Sequence, residues 1–221
     1  MPRTARKVID NSYYHIMCRG NNKTNIFHED EDYLFFLELM VKCKIKYQIN
    51  IHNFVLMTNH FHLLLYCPVA NKLNVFVKAL NVNYVNYYRK KYSGIGHFMQ
   101  DRYKSIIIEN GQYLWECARY IEYNPVKAGM VSNPANYKWS SFKYYTENFY
   151  SDIIDKHPLF SKTFCNVSEY TKFVLNSANE KRSEERIFRD AIYGSLEFRK
   201  KMKEIGIIGR WSHKGRPKTE K

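Results

Sequence analysis

Two histidines separated by one residue, His60 and His62, form the pattern with the clearest chemical potential in this sequence. Because side chains alternate between the two faces of a β-strand, both imidazoles are expected on one face and Phe61 on the other. Two neutral imidazoles on one sheet face can share a cation such as Mn²⁺, Zn²⁺ or Fe. The alternative is that each histidine is simply hydrogen-bonded at a sheet edge. Because two ligands do not make a metal site, a further ligand would have to come from elsewhere in the chain.

A second group of polar side chains lies on a predicted helix later in the chain. Glu116, Tyr120 and Asn124 are spaced four residues apart and therefore lie roughly on one helical face. Apolar residues define the core face of the same helix, namely Leu114, Cys117, Ala118 and Ile121. An asparagine oxygen is a reasonable third ligand beside two imidazoles, and a tyrosine one turn away is a candidate nucleophile. The alternative is an ordinary helix tyrosine that packs against the core.

Hydrophobic periodicity and turn signals predict the elements that position these residues. Strands are predicted at residues 12–19, 49–57, 60–67 and 102–109, and helices at residues 30–46, 73–92 and 112–124. The connection Thr58-Asn59 is so short that the flanking strands should form an antiparallel hairpin. Pro125 disfavours helical geometry at Asn124, so the third helix should end near there. The order β, α, β, β, α, β, α indicates an α+β fold with a ferredoxin-like split βαβ antiparallel sheet.

The character of the chain changes after residue 131, where a loop-rich stretch begins. Short helices are predicted near residues 168–177, 184–193 and 195–205, and Gly206 is a suitable stop. We therefore divide the chain into a catalytic domain, residues 1–131, with a basic N-terminal arm, and a helical, basic accessory extension, residues 132–221. The segment from Arg199 to the end carries nine basic and two acidic residues, which is half of the net charge of +14.

Composition limits the class of partner and the compartment. A net charge of +14 on 221 residues points to a polyanionic partner. The 19 tyrosines among basic residues suit stacking with single-stranded nucleic acid, although most single tyrosines are ordinary half-buried residues. The sequence lacks an apolar window of about 18 residues, so no membrane span is predicted. It also lacks an apolar region after the basic N-terminus, so no signal peptide is predicted. The five widely spaced cysteines contain no C-x-x-C pair and are typical of reduced cytosolic thiols.

The histidine pair and the segment from Arg119 to Gly129, which includes Tyr120 and Asn124-Pro125, together resemble the HUH single-tyrosine transposases, most closely the REP-associated tyrosine transposases. Further matches are Tyr14-His15-Ile16 followed by Arg19-Gly20-Asn21, then residues 98–103 and Trp139-Ser140-Ser141. The resemblance covers residues 1–145 and is specific, because a histidine pair on a strand and a Tyr-x-x-x-Asn-Pro helix seldom coincide in this order. Two departures, Thr58 in place of proline and Met99 in place of tryptophan, do not touch a proposed ligand or the nucleophile.

The resemblance implies a role for each matching residue. His60, His62 and Asn124 would bind Mg²⁺ or Mn²⁺, and Tyr120 would attack a phosphate of single-stranded DNA next to a hairpin. The products would be a 5′-phosphotyrosine and a 3′-OH that can later rejoin strands, so no nucleotide cofactor is required. A phenol with a pKa of about 10 is a poor nucleophile at neutral pH, and a nearby cation favours the phenolate. The expected location is the bacterial cytoplasm in association with the nucleoid, and a homodimer is left open.

Basic residues along the chain are candidates for DNA contact, namely Arg3, Arg6, Lys7, Arg19, Arg89, Lys90, Arg102, Lys127, Arg210, Lys214 and Arg216. The alternative function is a non-catalytic single-stranded nucleic-acid-binding protein on the same fold, in which the histidines are structural. A zinc-dependent hydrolase would need an acidic base beside His60 and His62, which the sequence does not place there. A plasmid relaxase is disfavoured by the small size and by the lack of a helicase part.

Overall fold

The structure is a computed structural model that describes residues 7–93, 96–147, 152–176 and 190–207. Its strands are β1 (Ser12–Arg19), β2 (Asn50–Met57), β3 (His60–Cys67), β4 (Lys104–Ile108) and β5 (Ile192–Tyr193). Its α-helices are α1 (Asp30–Tyr47), α2 (Ala70–Tyr92), α3 (Gln112–Lys127), α4 (Phe142–Thr146), α5 (Phe160–Thr163), α6 (Val167–Leu175) and α7 (Leu196–Glu204). Two short 3-10 turns lie at Asn21–Lys23 and Pro134–Asn136.

The strands form one sheet in the order β2-β3-β1-β4-β5. β1 lies between β3 and β4 and is antiparallel to both, and β2 and β3 form the predicted antiparallel hairpin. Two adjacent residues of β3 show how the sheet is covered. The ring centroids of Phe61 and Phe36, on α1, are 4.8 Å apart. Those of His62 and Tyr120, on α3, are 5.7 Å apart. Helices α1 and α2 therefore cover one face and α3 the other, which buries Leu63, Leu64 and Leu65 completely. The predicted α+β fold is confirmed.

Two sequence predictions about element boundaries are wrong. The helix α3 does not end at Asn124 but continues through Pro125 to Lys127. Backbone bonds close its last turns, with the Ala128 amide donating to the Asn124 carbonyl at 2.9 Å and the Met130 amide to the Pro125 carbonyl at 3.0 Å. These bonds and the burial of Pro125 offset the missing amide donor.

The second error lies at the end of the helix predicted near residues 184–193. Residues 184–189 lie outside the described residues, and Ile192–Tyr193 form the strand β5, parallel to β4. Amides of Ile107 and Glu109 donate to the carbonyls of Ala191 and Tyr193, each at 2.9 Å. The pairing satisfies the outer edge of β4, so this tertiary contact decides the conformation of a segment with little local preference of its own. The helices predicted near residues 168–177 and 195–205 are confirmed as α6 and α7.

The region after residue 131 packs on the outer edge of β2. The Leu56 amide donates to the Trp139 carbonyl at 2.9 Å, and the Ser141 amide donates to the Phe54 carbonyl at 2.9 Å. The domain boundary at residue 131 stays a prediction, but the described contacts join the two sides of that boundary closely. No disulfide links the five cysteines, all of which lie among the described residues. In the parts of the chain that the structure describes, no helix is both long enough and apolar enough to cross a membrane.

Candidate active site

Strand β3 presents both histidines on the face that α3 covers. The ring centroids of His60 and His62 are 5.0 Å apart, as the alternation of side chains in a strand predicts. His62 is 1% exposed and pairs with Met17 of β1 and Val55 of β2. His60 begins the strand and is half-buried. The sheet therefore holds one imidazole inside the protein and the next at the mouth of the same site.

Hydrogen bonds at Nδ1 orient both imidazoles. Nδ1 of His60 lies 2.6 Å from Oδ1 of Asn59, whose Nδ2 donates to the Lys23 carbonyl at 3.1 Å. That second bond fixes the orientation of the Asn59 amide, so Nδ1 of His60 is the donor and Nε2 keeps its lone pair. Nδ1 of His62 lies 2.8 Å from Nε2 of His15, and donation from His62 leaves its Nε2 as a ligand atom. This arrangement is the one that metal-binding histidines usually have.

Burial keeps the imidazoles neutral at physiological pH. It lowers the pKa of His60 to about 4 and, with the neighbouring positive charge of Arg19 acting in the same direction, keeps the ring unprotonated. Burial also lowers the pKa of His62 well below its ordinary value and that of His15 to about 3. A neutral imidazole is the form that binds a metal ion. His60 and His62 are thus in the neutral form that ligation requires, and His15 is neutral beside them.

Helix α3 places Tyr120 against the histidines. The Tyr120 ring lies 5.7 Å from His62 and 6.0 Å from His15, in edge-on arrangements. The ammonium of Lys127 lies 5.7 Å from the centre of the Tyr120 ring. The predicted apolar stripe of the helix is fully buried and consists of Leu114, Cys117, Ala118 and Ile121. Its burial confirms the predicted orientation of the helix, in which Tyr120 faces the histidines.

Asn124 lies one helical turn beyond Tyr120 and is 8% exposed. Its Nδ2 has no hydrogen-bond partner among the described residues. A half-turn of the amide exchanges Oδ1 and Nδ2 with little change in shape, so the oxygen can occupy this unsatisfied position. No group of three or more His, Cys, Asp and Glu side chains suited to a metal occurs in the described parts of the chain. A metal site built on His60 and His62 would therefore need the Asn124 amide as a third protein ligand, and two imidazoles with an amide oxygen would suit a divalent cation.

The other members of the predicted polar face serve different purposes. Glu116 accepts a short hydrogen bond from the Tyr193 hydroxyl of β5 and another from Gln112 at 2.8 Å. Tyr113, a rival tyrosine on the same helix, packs on Tyr193 with ring centroids 5.1 Å apart. Glu116 and Tyr113 thus hold α3 to β5, and Tyr120 is the tyrosine of this helix with measured contacts to the histidines.

His15 is the member of the site that sequence reasoning did not assign. The register of β1 against β3 places His15 opposite Leu64, on the same sheet face as His60 and His62. It stacks on His62 with ring centroids 5.0 Å apart. In the sequence, Tyr14-His15-Ile16 contributes to the family resemblance, which gives no role to His15. The available signal was the alternation within β1, but it identifies His15 only once the pairing of β1 with β3 is known.

Three sequence motifs meet beside His60. The Gly20 amide donates to the Asn59 carbonyl at 2.8 Å, and the Asn21 amide donates to the Phe98 carbonyl at 2.8 Å. A Cβ at Gly20 would lie 2.2 Å from the Thr24 carbonyl oxygen, so the approach of these segments requires glycine. Arg19 stands opposite His60 in the β1–β3 register, and its buried Nε has no hydrogen-bond partner among the described residues. A buried donor in this condition is suited to an anionic ligand.

The remaining basic candidates are dispersed over the surface. Lys7, Arg89, Lys90, Arg102 and Lys127 are exposed. Arg89 donates to the Gly96 carbonyl at 3.1 Å, and Lys127 is the member of this group that lies beside Tyr120. The other candidates lie outside the described residues, and they remain predictions: Arg3, Arg6, Arg210, Lys214 and Arg216.

Comparison with known proteins identifies the class. Residues 8–124 match the sequence model of the IS200-like transposases, and the chain belongs to that family. It is therefore a member of a family of DNA-processing enzymes. No curated protein shows significant similarity to it.

Solved structures support the same fold. The structure of a REP-associated tyrosine transposase bound to a REP hairpin is 18% identical, covers 70% of this chain and 94% of its own, and has a TM-score of 0.57. The tRNA(His) guanylyltransferase of Saccharomyces cerevisiae is 13% identical over 81% of this chain and 79% of its own, with a TM-score of 0.42. The first similarity supports the transposase fold, and the second is too low to add to it.

Proposed function

We propose that this transposase cleaves and rejoins single-stranded DNA near hairpins through a 5′-phosphotyrosine on Tyr120. The observation that carries the proposal is the distance of 5.7 Å between the rings of Tyr120 and His62. These residues come from a helix and a strand that are far apart in sequence, and the fold brings the candidate nucleophile beside neutral imidazoles. A metal-dependent attack on a phosphodiester requires this juxtaposition.

His60, His62 and Asn124 would hold Mg²⁺ or Mn²⁺. When bound, the cation supplies Lewis-acid polarisation of the phosphate. The protein's own contribution is rigidity, because the Nδ1 bonds of His60 and His62 fix the directions of both Nε2 atoms. An orientation set before the reaction lowers the cost of reaching the transition state.

Tyr120 would form a bond from its phenolic oxygen to phosphorus while the bond from phosphorus to the 3′ oxygen breaks. The phenolic proton is balanced by protonation of the leaving oxygen, which gives a 3′-OH. The Lys127 ammonium, 5.7 Å from the centre of the Tyr120 ring, is a candidate to offset negative charge that develops during the attack. The reverse attack by a 3′-OH regenerates the tyrosine and joins strands, so the bond energy is conserved.

Arg19 would bind the scissile phosphate. Its buried Nε lacks a hydrogen-bond partner among the described residues and lies on the strand opposite His60, where a phosphate oxygen would satisfy it. The net charge of +14 favours a nucleic-acid partner in general. The solved relative bound to a REP hairpin supports hairpin DNA as the partner of this chain.

An end-labelling experiment tests the proposal. The full chain is incubated with Mn²⁺ and a single-stranded DNA that carries a hairpin from its own genomic flanks, labelled at either end. We expect a denaturation-resistant adduct that contains the 3′ label, and a released fragment with the 5′ label and a 3′-OH. Cleavage without an adduct would indicate hydrolysis instead. Binding without cleavage would favour a non-catalytic nucleic-acid-binding protein.

A further inference from the structure

A fully buried carboxyl group lies on α3 between the two residues that face the candidate site. Glu122 is 0% exposed and is two residues from both Tyr120 and Asn124. Two residues correspond to about 200° of rotation around a helix, so Glu122 is on the side of α3 opposite to Tyr120. Contacts at Glu122 therefore hold the back of the helix while Tyr120 faces the histidines.

Three buried donors satisfy the Glu122 carboxyl group. Oε1 accepts from Asn53 Nδ2 at 2.8 Å and from Ser141 Oγ at 2.6 Å, and Oε2 accepts from the Tyr170 hydroxyl at 2.7 Å. Asn53 belongs to β2 and Tyr170 to α6, while Ser141 immediately precedes α4. One side chain thus ties four segments together.

The bond to Asn53 connects α3 to the histidine strand. In the β2–β3 pairing, Asn53 lies opposite Leu64 and Val55 lies opposite His62. Backbone pairing between β2 and β3 therefore fixes the position of Asn53, which binds Glu122, relative to His62. Rotation or sliding of α3 about this anchor would move Tyr120 relative to His62.

Ser141 strengthens the same connection from the C-terminal side. Its hydroxyl accepts from the Phe54 amide at 3.0 Å while donating to Glu122, and its own amide donates to the Phe54 carbonyl at 2.9 Å. Ser141 and Tyr170 both lie beyond the segment 8–124 that matches the family model. The hydrogen bonds that hold Glu122 of α3 are therefore completed by residues outside that segment.

A carboxyl group in this place is costly. Burial raises the pKa of Glu122 to about 7 even though its three hydrogen bonds lower it. Apolar residues of similar volume often stabilise a protein at least as well as a buried polar network does. Directional hydrogen bonds offer what apolar packing does not, namely a defined position for the helix.

From this geometry we infer that Glu122 is a positioning residue for the proposed strand-transfer reaction, and that Ser141 and Tyr170 share this role. The inference rests on the proposed function of Tyr120. Misplacement of a reacting group by about 1 Å can reduce a rate about 100-fold, so loss of one anchor bond should lower the rate of cleavage more than it lowers DNA binding.

Two buried tyrosines offer a matched pair of variants. Tyr170→Phe removes the hydroxyl that donates to Glu122. Tyr145→Phe removes the hydroxyl that donates to the His52 carbonyl at 2.7 Å, and Tyr145 packs on Tyr170 with ring centroids 5.2 Å apart. Tyr145 is 2% exposed and Tyr170 1%, so both variants lose a buried hydroxyl from the same region. Tyr170→Phe also loses a longer hydrogen bond, in which Asn53 Nδ2 donates to the hydroxyl at 3.4 Å. Both should lower Tm by a similar amount.

The readout is the single-turnover rate of adduct formation at saturating hairpin DNA, with Kd measured separately. We expect Tyr170→Phe to lower this rate by roughly 10-fold and Tyr145→Phe to leave it within about 2-fold of wild type, with Kd unchanged in both. Ser141→Ala should resemble Tyr170→Phe. Glu122→Gln keeps an acceptor and should retain more of the rate than Glu122→Ala.

The outcomes separate this inference from the proposed function. Absence of an adduct in the wild type would overturn the proposed function and this inference with it. An active wild type with equal rates in Tyr170→Phe, Ser141→Ala and Tyr145→Phe would overturn the inference alone. Equal loss of rate in the two tyrosine variants would also overturn it, since that result indicates general loosening of the region.

Discussion

Nε2 of His15 lies 2.8 Å from Nδ1 of His62, and the two rings stack at an interplanar angle of 20°. Both residues are about 1% exposed, so water does not compete for this hydrogen bond. The tautomer in which Nδ1 of His62 donates to His15 is the one that leaves Nε2 of His62 able to bind a metal ion. His15 therefore acts on the site without being a proposed ligand.

Replacement of His15 tests this relationship. His15→Phe keeps an aromatic ring in the stack but removes the acceptor, so the Mn²⁺ concentration for half-maximal adduct formation should rise about 10-fold to 100-fold. The increase in Tm that Mn²⁺ produces should shift to higher concentrations in parallel. His157→Phe is the control, because His157 is also buried and bonds to the Tyr13 hydroxyl instead. An unchanged Mn²⁺ dependence in His15→Phe would refute the role.

The identity of the nucleophile is tested by a pair of neighbouring tyrosines. Tyr120→Phe should abolish the covalent adduct while hairpin binding persists, since only one hydroxyl is lost. Tyr123→Phe is the matched control, because Tyr123 lies on the same helix only three residues from Tyr120, about 60° around the axis, and loses the same single hydroxyl. Both variants are assayed by denaturing gel and by filter binding. An adduct of undiminished yield in Tyr120→Phe would remove Tyr120 from the role and direct attention to Tyr123.

The proposed ligands should differ in their effects. His60→Ala and His62→Ala should remove metal-dependent cleavage, whereas Asn124→Ala should weaken it less, because water can replace an amide oxygen. His28→Ala provides a control, since His28 is exposed and bonds to Tyr88 at 2.8 Å. Cleavage is followed with and without a chelator. If the chelator leaves cleavage unchanged, the metal hypothesis is wrong and the histidines are structural.

A buried histidine away from the candidate site should make stability depend on pH. Burial lowers the pKa of His52 to about 4, although the Asp155 carbonyl at 2.6 Å acts in the opposite direction. Asp155, Lys44 and His157 are the charged or titratable groups that act on it. An unfolded histidine has a pKa of about 6.5, so the unfolded state binds more protons between these values. Stability present above pH 6.5 is therefore lost as the pH falls towards 4.

The His52→Gln variant isolates that contribution. The free energy of unfolding in urea should fall more steeply for wild type than for His52→Gln between pH 7 and pH 4, by up to about 3 kcal/mol. The variant keeps some pH dependence because the pKa of His15 is also lowered by burial. Parallel pH profiles for the two proteins would show that His52 does not titrate in this way.

The basic C-terminal segment should contribute affinity and not chemistry. Truncation after Gly206 removes five basic residues, Arg210, Lys214, Arg216, Lys218 and Lys221. If two or three of them contact phosphates, binding should weaken and the slope of log K against log[salt] should fall by about one to two units. The Tyr120 adduct should still form at low salt and high protein concentration. Loss of the adduct even at saturating protein would mean that the tail helps to build the active site.

The sequence predicted those parts of the site that depend on local periodicity. Alternation in a strand placed His60 and His62 on one face, and the helical repeat of α3 separated Tyr120 from the apolar stripe. His15 and Glu122 were not assigned roles, because their partners lie 47 and 19 or more residues away and depend on strand register and on packing after residue 131. The two-residue strand β5 gave no local signal, since its conformation is set by the unpaired edge of β4.

The edge of β2 has a further consequence for self-association. Its outward amides and carbonyls are already occupied: the Asp155 carboxylate and amide bond to Ile51, Ser141 bonds to Phe54, and Leu56 bonds to Trp139 and Tyr137. On the opposite side of the sheet, β5 pairs with β4 at Ile107 and Ile108. An open strand edge is the usual template for joining β-sheets of two molecules. A second copy could not extend this sheet at Ile51–Leu56 without first displacing residues 137–141 and 155, so a continuous intermolecular sheet through β2 is blocked by the chain itself.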